Sequence, residues 1–173
     1  MYRRTLCIVV VGALACVLGE GVARAQGLVP YSNQTYRYAL QVPFGWEQRT
    51  MGGTILWLSP QETPADQFRD NVNVTTEDLP GPMTVGQYAV AATQSMASML
   101  QGFSVMEQGQ TVLAGQPAYW MVYNHFMGQP LRVLVFFVVR GTRAYVFTCT
   151  ATPQDFMRYR PIFTQIANTL VTF

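Results

Sequence analysis

The sequence predicts an α+β domain, a mostly antiparallel sheet of about six to seven strands covered by helices on both faces. Three observations lead to this fold class. Four strand-like segments follow one another between residues 103 and 150, and only short turns separate them. One of the four is apolar on both faces, so it has to be covered on both sides. Two segments with helical periodicity flank this run, one before it and one after it.

The first 25 residues have the pattern of a secretory signal peptide. A short basic start over residues 1–4 precedes an uncharged, largely apolar run over residues 5–19. This run is shorter than the ~20 residues that a membrane-spanning helix needs. Ala23 and Ala25 then place small residues at the positions that a signal peptidase reads. The pattern favours a cleaved signal over a permanent anchor.

Cleavage before Gln26 would leave residues 26–173, a length that suits a single domain with one core. This stretch contains no internal repeat, low-complexity segment or flexible linker. We therefore expect an exported protein, periplasmic or extracellular if its source is bacterial.

Cys16 offers an alternative to cleavage at Gln26. Bacterial lipoprotein signals resemble a Leu, a small residue, Gly or Ala, and then Cys. Here Leu14 stands one place too late for that pattern, and the apolar run continues beyond the cysteine. In this alternative, acyl chains on Cys16 anchor the protein, and only then is a membrane among its partners.

Charge and cysteine usage exclude several classes of function. Eight arginines and eight carboxylates follow residue 25, so the exported chain is neutral. A neutral domain lacks the positive charge that drives binding to phosphate backbones, which argues against nucleic acid as a partner. The chain has no lysine, which excludes Schiff-base chemistry and a Walker-type phosphate lysine. Cys149 is the only cysteine after the signal, so no internal disulfide can form.

The first part of the domain contains three predicted strands. Residues 32–42 alternate apolar and polar side chains and read as one strand, which residues 43–46 (Pro-Phe-Gly-Trp) end. Residues 53–59 form a short apolar strand, and residues 61–69 are polar and read as a loop. Residues 71–76 alternate in the way that is typical of a half-buried strand.

The first helix is predicted from Thr84 to Gly102. Thr84 and Gln87 have capping-box spacing, and Gly102 can end the helix with a left-handed residue. Apolar residues recur at intervals of three and four, which indicates one buried stripe. The stripe consists of Val85, Tyr88, Ala89, Ala92, Met96, Met99 and Leu100.

An antiparallel meander of four strands is predicted next, over residues 103–113, 118–127, 131–139 and 143–150. Glycine-containing turns separate the strands. The third strand, residues 131–139, is the one that is apolar on both faces.

The second helix is predicted to begin at Thr152 as the N-cap, with Pro153 at the first helical position. Asp155 lies near the positive end of this helix. Pro161 should kink the helix or split it in two, at a cost of ~3 kcal/mol unless other structure compensates. The apolar stripe consists of Phe156, Tyr159, Phe163, Ile166 and Leu170.

In the order and spacing of four short segments, the chain resembles the PsbP-like superfamily. The segments are Val42-Pro43-Phe44-Gly45-Trp46, Asn71-Val72-Asn73-Val74, Leu113 to Ala118, and the run from Asp155 through Arg158-Tyr159-Arg160-Pro161 to Ile166. The superfamily includes the photosystem II extrinsic P subunit, the Ran-binding Mog proteins and bacterial DcrB-like proteins. The resemblance implies a non-enzymatic protein that binds or stabilises a larger assembly, and it supplies no catalytic residues and no cofactor.

His125 and Cys149 are the most specific candidates for catalytic residues. His125 is the only histidine and lies in an aromatic row, where a packed, hydrogen-bonded side chain is the usual role. A nucleophilic pair of Cys149 and His125 would need contact at roughly 3 Å. In a simple meander, the strand at residues 131–139 separates the two by about 9.6 Å. We therefore expect the pair not to form.

Two pairs of carboxylates that lie close in sequence are candidates for a site, Glu77 with Asp78 and Glu62 with Asp66. Either set could serve acid–base chemistry or bind a hard cation. Both lie in or beside polar segments, where solvated charge is the simpler interpretation, so no metal site is assigned.

Together these features predict an exported, non-catalytic domain that binds or stabilises a protein or envelope assembly. Arg158 and Arg160 could dock a carboxylate or phosphate of a partner. Two other functions stay open, a lipid-anchored envelope protein through Cys16 and a small secreted hydrolase that uses Cys149 or a carboxylate pair. A cleft for a small ligand between sheet and helix is a further open alternative.

Overall fold

The computed structural model describes residues 27–64 and 68–173. The predicted signal segment, with Ala23, Ala25, Gln26 and Cys16, lies outside these residues. The described chain forms ten strands and two helices. In chain order they are β1 (Leu28–Asn33), β2 (Tyr38–Pro43), β3 (Glu47–Met51), β4 (Thr54–Leu58), β5 (Asn71–Asp78), α1 (Val85–Met99), β6 (Ser104–Leu113), β7 (Gln116–Phe126), β8 (Pro130–Arg140), β9 (Arg143–Ala151), α2 (Phe156–Ala167) and β10 (Val171–Thr172).

Seven strands make the main sheet, in the order β3-β4-β5-β9-β8-β7-β6, and every neighbouring pair is antiparallel. The predicted meander over β6 to β9 is confirmed. A second, three-stranded sheet has the order β1-β2-β10 and is also antiparallel.

Helices cover the main sheet on both faces, as predicted, and β8 shows this most clearly. Leu134 and Phe136 of β8 pack in one buried cluster with α2 and the small sheet. Val133 and Val135, which point the other way, pack in a second cluster with α1. The fold class is therefore α+β. Within the described residues, neither helix is long and apolar enough to cross a membrane.

The predicted single strand over residues 32–42 is wrong, because the chain turns back on itself there. The turn lies between β1 and β2, and Asn33 stabilises it by accepting a 2.9 Å hydrogen bond from the backbone N–H of Tyr36. Arg37 completes the turn with a left-handed backbone (φ 58°). The alternation of side chains from Thr35 to Val42 runs through the end of the turn into β2, so periodicity alone does not reveal the reversal.

Two strands are absent from the sequence prediction. All five residues of β3 are exposed at the edge of the main sheet, so they show no apolar alternation. The other missed strand, β10, has only two residues and forms by pairing with Tyr38 and Ala39 of β2. Both strands are defined by their partners and not by their own composition.

Helix α1 begins as predicted. Thr84 accepts from the backbone N–H of Gln87, and the Gln87 side chain accepts from the Thr84 N–H, so the capping box is complete. Gly102 adopts the left-handed conformation just beyond the helix (φ 66°). One member of the predicted stripe is wrong, since Met99 is 72% exposed in the last turn.

Helix α2 begins later than predicted, at Phe156 with Asp155 as the N-cap. Thr152 instead closes the preceding turn, where its hydroxyl accepts from the backbone N–H of Asp155 at 3.2 Å. Of the two outcomes predicted for Pro161, a kink or a split, the split does not occur, because the helix continues through the proline. Met157, whose carbonyl loses its helical donor to the proline, is 66% exposed, so this turn of the helix borders solvent.

Candidate functional site

The structure separates His125 from Cys149 in two ways. His125 lies on β7, opposite Leu131 of β8, whereas Cys149 lies on β9, opposite Leu134 of β8. Strand β8 therefore stands between them, which puts about two strand spacings, ~9.6 Å, between their strands. The side chains also face opposite sides of the sheet: Cys149 packs in the α2 cluster, and His125 stacks beside Tyr123 of the α1 cluster. A hydrogen-bonded pair cannot form.

Burial shifts the pKa values of both groups towards their neutral forms. It raises the pKa of the Cys149 thiol well above its ordinary value of 9.0, because the thiolate would have no solvation in the core. It also lowers the pKa of His125 below 6.5, so the imidazole is neutral at pH 7. These environments fit packing roles for both residues.

Glu77 and Asp78, although adjacent in sequence, do not form a paired site. They alternate on β5, so their side chains lie on opposite faces of the sheet. Glu77 accepts a 2.8 Å hydrogen bond from the Tyr88 hydroxyl, and Asp78 accepts one at 2.8 Å from Arg143. Across residues 27–64 and 68–173, no group of three or more His, Cys, Asp or Glu could hold a metal ion.

The second carboxylate set is tied to helix α2. Glu62 accepts from the Arg158 guanidinium at 2.7 Å and from the Tyr159 hydroxyl at 3.0 Å. Its predicted companion, Asp66, lies outside the described residues. Arg158 also donates to Asp155 at 2.8 Å, so its guanidinium is held between two carboxylates of this chain.

Arg160 is likewise engaged within the protein. It donates two hydrogen bonds to Glu107 of β6, at 3.0 and 2.7 Å, and this guanidinium lowers the pKa of the Glu107 carboxyl. It also lies over the Trp120 ring, 5.9 Å from the centroid. Arg158 and Arg160, which could dock a carboxylate or phosphate of a partner, both bind carboxylates of the domain itself.

A different set of arginines surrounds an open cavity of about 500 Å³ at one end of the main sheet. We call this cavity the arginine groove. The β1–β2 turn, the end of β5, the β8–β9 turn and the residues after β10 form its walls. It is lined by Arg37, Asp78, Arg140, Gly141, Thr142, Arg143, Tyr145 and Phe173.

Three guanidinium groups and one acidic side chain, that of Asp78, line the arginine groove. Asp78 pairs with Arg143 at 2.8 Å. Arg37 donates to the Phe173 oxygen at 2.7 Å, and Arg140 donates to the carbonyl of Thr172. Each of these bonds uses one of the five N–H donors of a guanidinium, so donors remain for an incoming anion.

The pattern of ion pairs singles out this groove. Five of the eight arginines after the predicted signal pair with a described carboxylate, namely Arg49, Arg69, Arg143, Arg158 and Arg160. The other three are Arg37, Arg132 and Arg140. Arg132 hydrogen-bonds to Asn124 and lies over the Phe156 ring. The other two both line the arginine groove.

Rigid elements hold these arginines in place. The backbone carbonyl of Arg37 accepts from the Phe173 N–H at 3.0 Å and from the Tyr145 hydroxyl at 3.3 Å. Arg140 and Arg143 stand directly opposite each other across the tight β8–β9 hairpin. Sequence reasoning missed this site, although the two arginines that flank Gly141-Thr142 in a short turn could have indicated half of it.

Solved structures share this arrangement of strands and helices. The cyanobacterial PsbP (CyanoP) of Synechocystis sp. PCC 6803 is 15% identical and has a TM-score of 0.64, with 94% of this chain and 100% of that chain covered. LpqN, involved in cell envelope biogenesis of Mycobacterium tuberculosis, is 16% identical, with a TM-score of 0.62 and coverage of 84% and 90%. The Ran-binding protein Mog1p of Saccharomyces cerevisiae is 8% identical, with a TM-score of 0.59 and coverage of 86% and 96%.

The chain therefore has the PsbP-like fold, as the resemblance in its sequence predicts. At these identities the likeness establishes the fold and not a shared activity. No family model and no curated protein matches the sequence.

Proposed function

We propose that this chain is an exported, non-catalytic domain that binds a protein of the cell envelope through the arginine groove. One observation carries the proposal: three guanidinium groups, two of which pair with no described Asp or Glu side chain, line one open cavity. Arginine binds carboxylates in a planar, two-point geometry, which fits an acidic segment of a partner protein.

Two further considerations support a binding role. Solved structures with the same fold include a Ran-binding protein and a protein involved in cell envelope biogenesis. The candidate reactive groups of this chain, Cys149, His125 and the Glu77–Asp78 pair, are placed apart from one another. No observation in the described chain favours the hydrolase alternative.

Cross-linking in the source cell tests the groove as the binding surface. A photoreactive residue replaces Thr142, which lines the groove in the β8–β9 turn. We expect a cross-linked envelope protein whose yield falls at least fivefold when Arg37→Asn and Arg140→Gln are combined, because two of the three positive charges of the groove are then lost. An excess of a glutamate-rich peptide should compete with the cross-link.

Arg49→Gln is the matched control, since Arg49 is exposed, pairs with Glu47 and does not line the groove. It should leave the yield unchanged. A cross-link that is equally strong in all three proteins, or that the acidic peptide does not reduce, would contradict the assignment of the groove.

Export is a separate part of the proposal, and intact mass tests it. We expect a processed chain that begins at Gln26 in the envelope fraction. A product with acyl chains on Cys16 would instead identify the lipid-anchored alternative. A full-length chain that stays in the cytoplasm would refute export.

A further inference from the structure

A second cavity, of about 330 Å³, lies between helix α1 and the main sheet. We call it the helix groove. The helix contributes Tyr88, Ala92 and Met96, and the sheet contributes Phe137 and Val146. Helix α1 packs mainly on β7 and β8, so the surface of β9 on its far side is left open and becomes the floor of the groove.

The walls of the helix groove are apolar and adaptable. Leu79 and Met83, from the segment between β5 and α1, close one side. Ala92 leaves room that a larger side chain would fill, and methionines such as Met83 can adjust to the shape of a ligand. A pocket of this size with apolar walls and few polar groups has the usual character of a small-ligand site.

One carboxylate stands at the edge of this apolar groove. Glu77 accepts a 2.8 Å hydrogen bond from the Tyr88 hydroxyl, which fixes its orientation. Burial and the nearby carboxylate both raise the pKa of Tyr88, so the phenol remains a donor. The other polar side chain on the lining is Ser95.

The carboxylate of Glu77 differs from the other exposed carboxylates of the described chain. Those at Glu47, Glu62, Asp78 and Glu107 each bind an arginine. Glu77 accepts from the Tyr88 hydroxyl and forms no salt bridge with any residue in ranges 27–64 and 68–173. A cationic ligand would supply the missing partner.

We propose that the helix groove binds an amphiphilic cation, a molecule with an apolar chain and an ammonium head group. The chain lies between α1 and the sheet, and the head group pairs with Glu77. A fatty acid with a chain of the same length is disfavoured, because its carboxylate would stand beside another negative charge. This site is independent of the arginine groove, which lies at the end of the opposite face of the sheet.

Titration calorimetry of the processed protein with three probes of equal chain length tests the proposal. We expect octylammonium to bind about three- to tenfold more tightly than octanol, because a partly solvated ion pair with Glu77 adds only modestly to the binding free energy. Octanoate should bind more weakly than octanol. Added salt should reduce the preference for the amine.

Three variants separate the charge from the cavity. Glu77→Gln should bring the affinity for octylammonium down to that for octanol. Ala92→Trp should weaken the binding of all three probes at least fivefold, because the larger side chain fills the groove. Val90→Trp is its matched control, since Val90 is 59% exposed on α1 and does not line the groove, and it should leave binding unchanged.

Thermal unfolding establishes that each variant is folded before it is titrated. Three results would each overturn the proposal. Octanoate could bind as tightly as octylammonium, or the preference for octylammonium over octanol could survive Glu77→Gln. Ala92→Trp and Val90→Trp could also weaken binding equally. Failure of all three probes to bind the folded wild-type protein would overturn it too.

Discussion

Arg37 and Phe173 hold each other by a reciprocal pair of hydrogen bonds. The Arg37 side chain donates to the Phe173 oxygen at 2.7 Å, and the Phe173 N–H donates to the Arg37 carbonyl at 3.0 Å. The bonds join the β1–β2 turn to the segment after β10, 136 residues away in sequence. They help to build one wall of the arginine groove.

The left-handed backbone of Arg37 leads to the first prediction. Arg37→Asn should change the free energy of unfolding by less than ~1 kcal/mol, because asparagine tolerates this conformation. Arg37→Val should destabilise the protein by ~2 kcal/mol, since a β-branched residue is strained at φ 58°. Urea denaturation measures both values. Equal stabilities of the two variants would show that the backbone of the turn is not constrained in this way.

The capping box of helix α1 leads to the second prediction. Thr84→Ala should lower the free energy of unfolding by ~1 kcal/mol, because the N–H of Gln87 loses its acceptor at the helix start. Ser98→Ala, on the exposed face near the end of the same helix, should change it by less than ~0.5 kcal/mol. Denaturant titration of both variants is the measurement. A loss for Ser98→Ala as large as that for Thr84→Ala would contradict this role for the cap.

The third prediction concerns the thiol of Cys149. Burial raises its pKa well above 9.0, so iodoacetamide at pH 8 should leave the native protein unmodified. In denaturant the same reagent should modify this thiol fully, because the unfolded chain exposes it. Mass spectrometry of the processed protein counts the added groups. Rapid modification under native conditions would contradict the burial of Cys149.

The ion pair between Glu107 and Arg160 leads to the fourth prediction. The hydrogen bonds from Arg160 lower the pKa of Glu107 below its ordinary value of 4.5. The stabilisation is therefore complete above that value and is lost as the pH falls through the lower, folded value. Wild-type protein should be more stable than Glu107→Gln at pH 7, and the difference should shrink in acid.

Thermal unfolding of both proteins between neutral and acidic pH measures that difference. High salt should also reduce it at pH 7, since the pair is partly exposed. A stability difference that is constant with pH would mean that the carboxylate of Glu107 contributes nothing as an ion.

Periodicity was sufficient to predict the centre of the fold. Strand β8 alternates two apolar faces, and that pattern alone requires a layer on each side. The first residue of α1 could also be predicted from the sequence, because the capping box of Thr84 and Gln87 is a purely local motif. Elements whose structure depends on local sequence or on their own burial are the ones that the sequence reveals.

Features that depend on distant partners were missed. Strand β3 is wholly exposed and exists because it pairs with β4. The arginine groove brings Arg37 together with Arg140, about a hundred residues further along the chain, through the pairing of β10 with β2. No sequence pattern within one segment indicates that these two arginines lie close together. The acceptors of Arg158 and Arg160, Glu62 and Glu107, are likewise remote in sequence, so no local pattern indicates these two ion pairs.

The affinity of residues 26–173 for the proposed envelope partner, measured at increasing salt, tests the central claim most directly. The account predicts that binding weakens as salt increases, and that combining Arg37→Asn with Arg140→Gln weakens it at least tenfold. Arg49→Gln should bind like the wild type. An affinity that depends neither on salt nor on the two groove arginines would contradict the account.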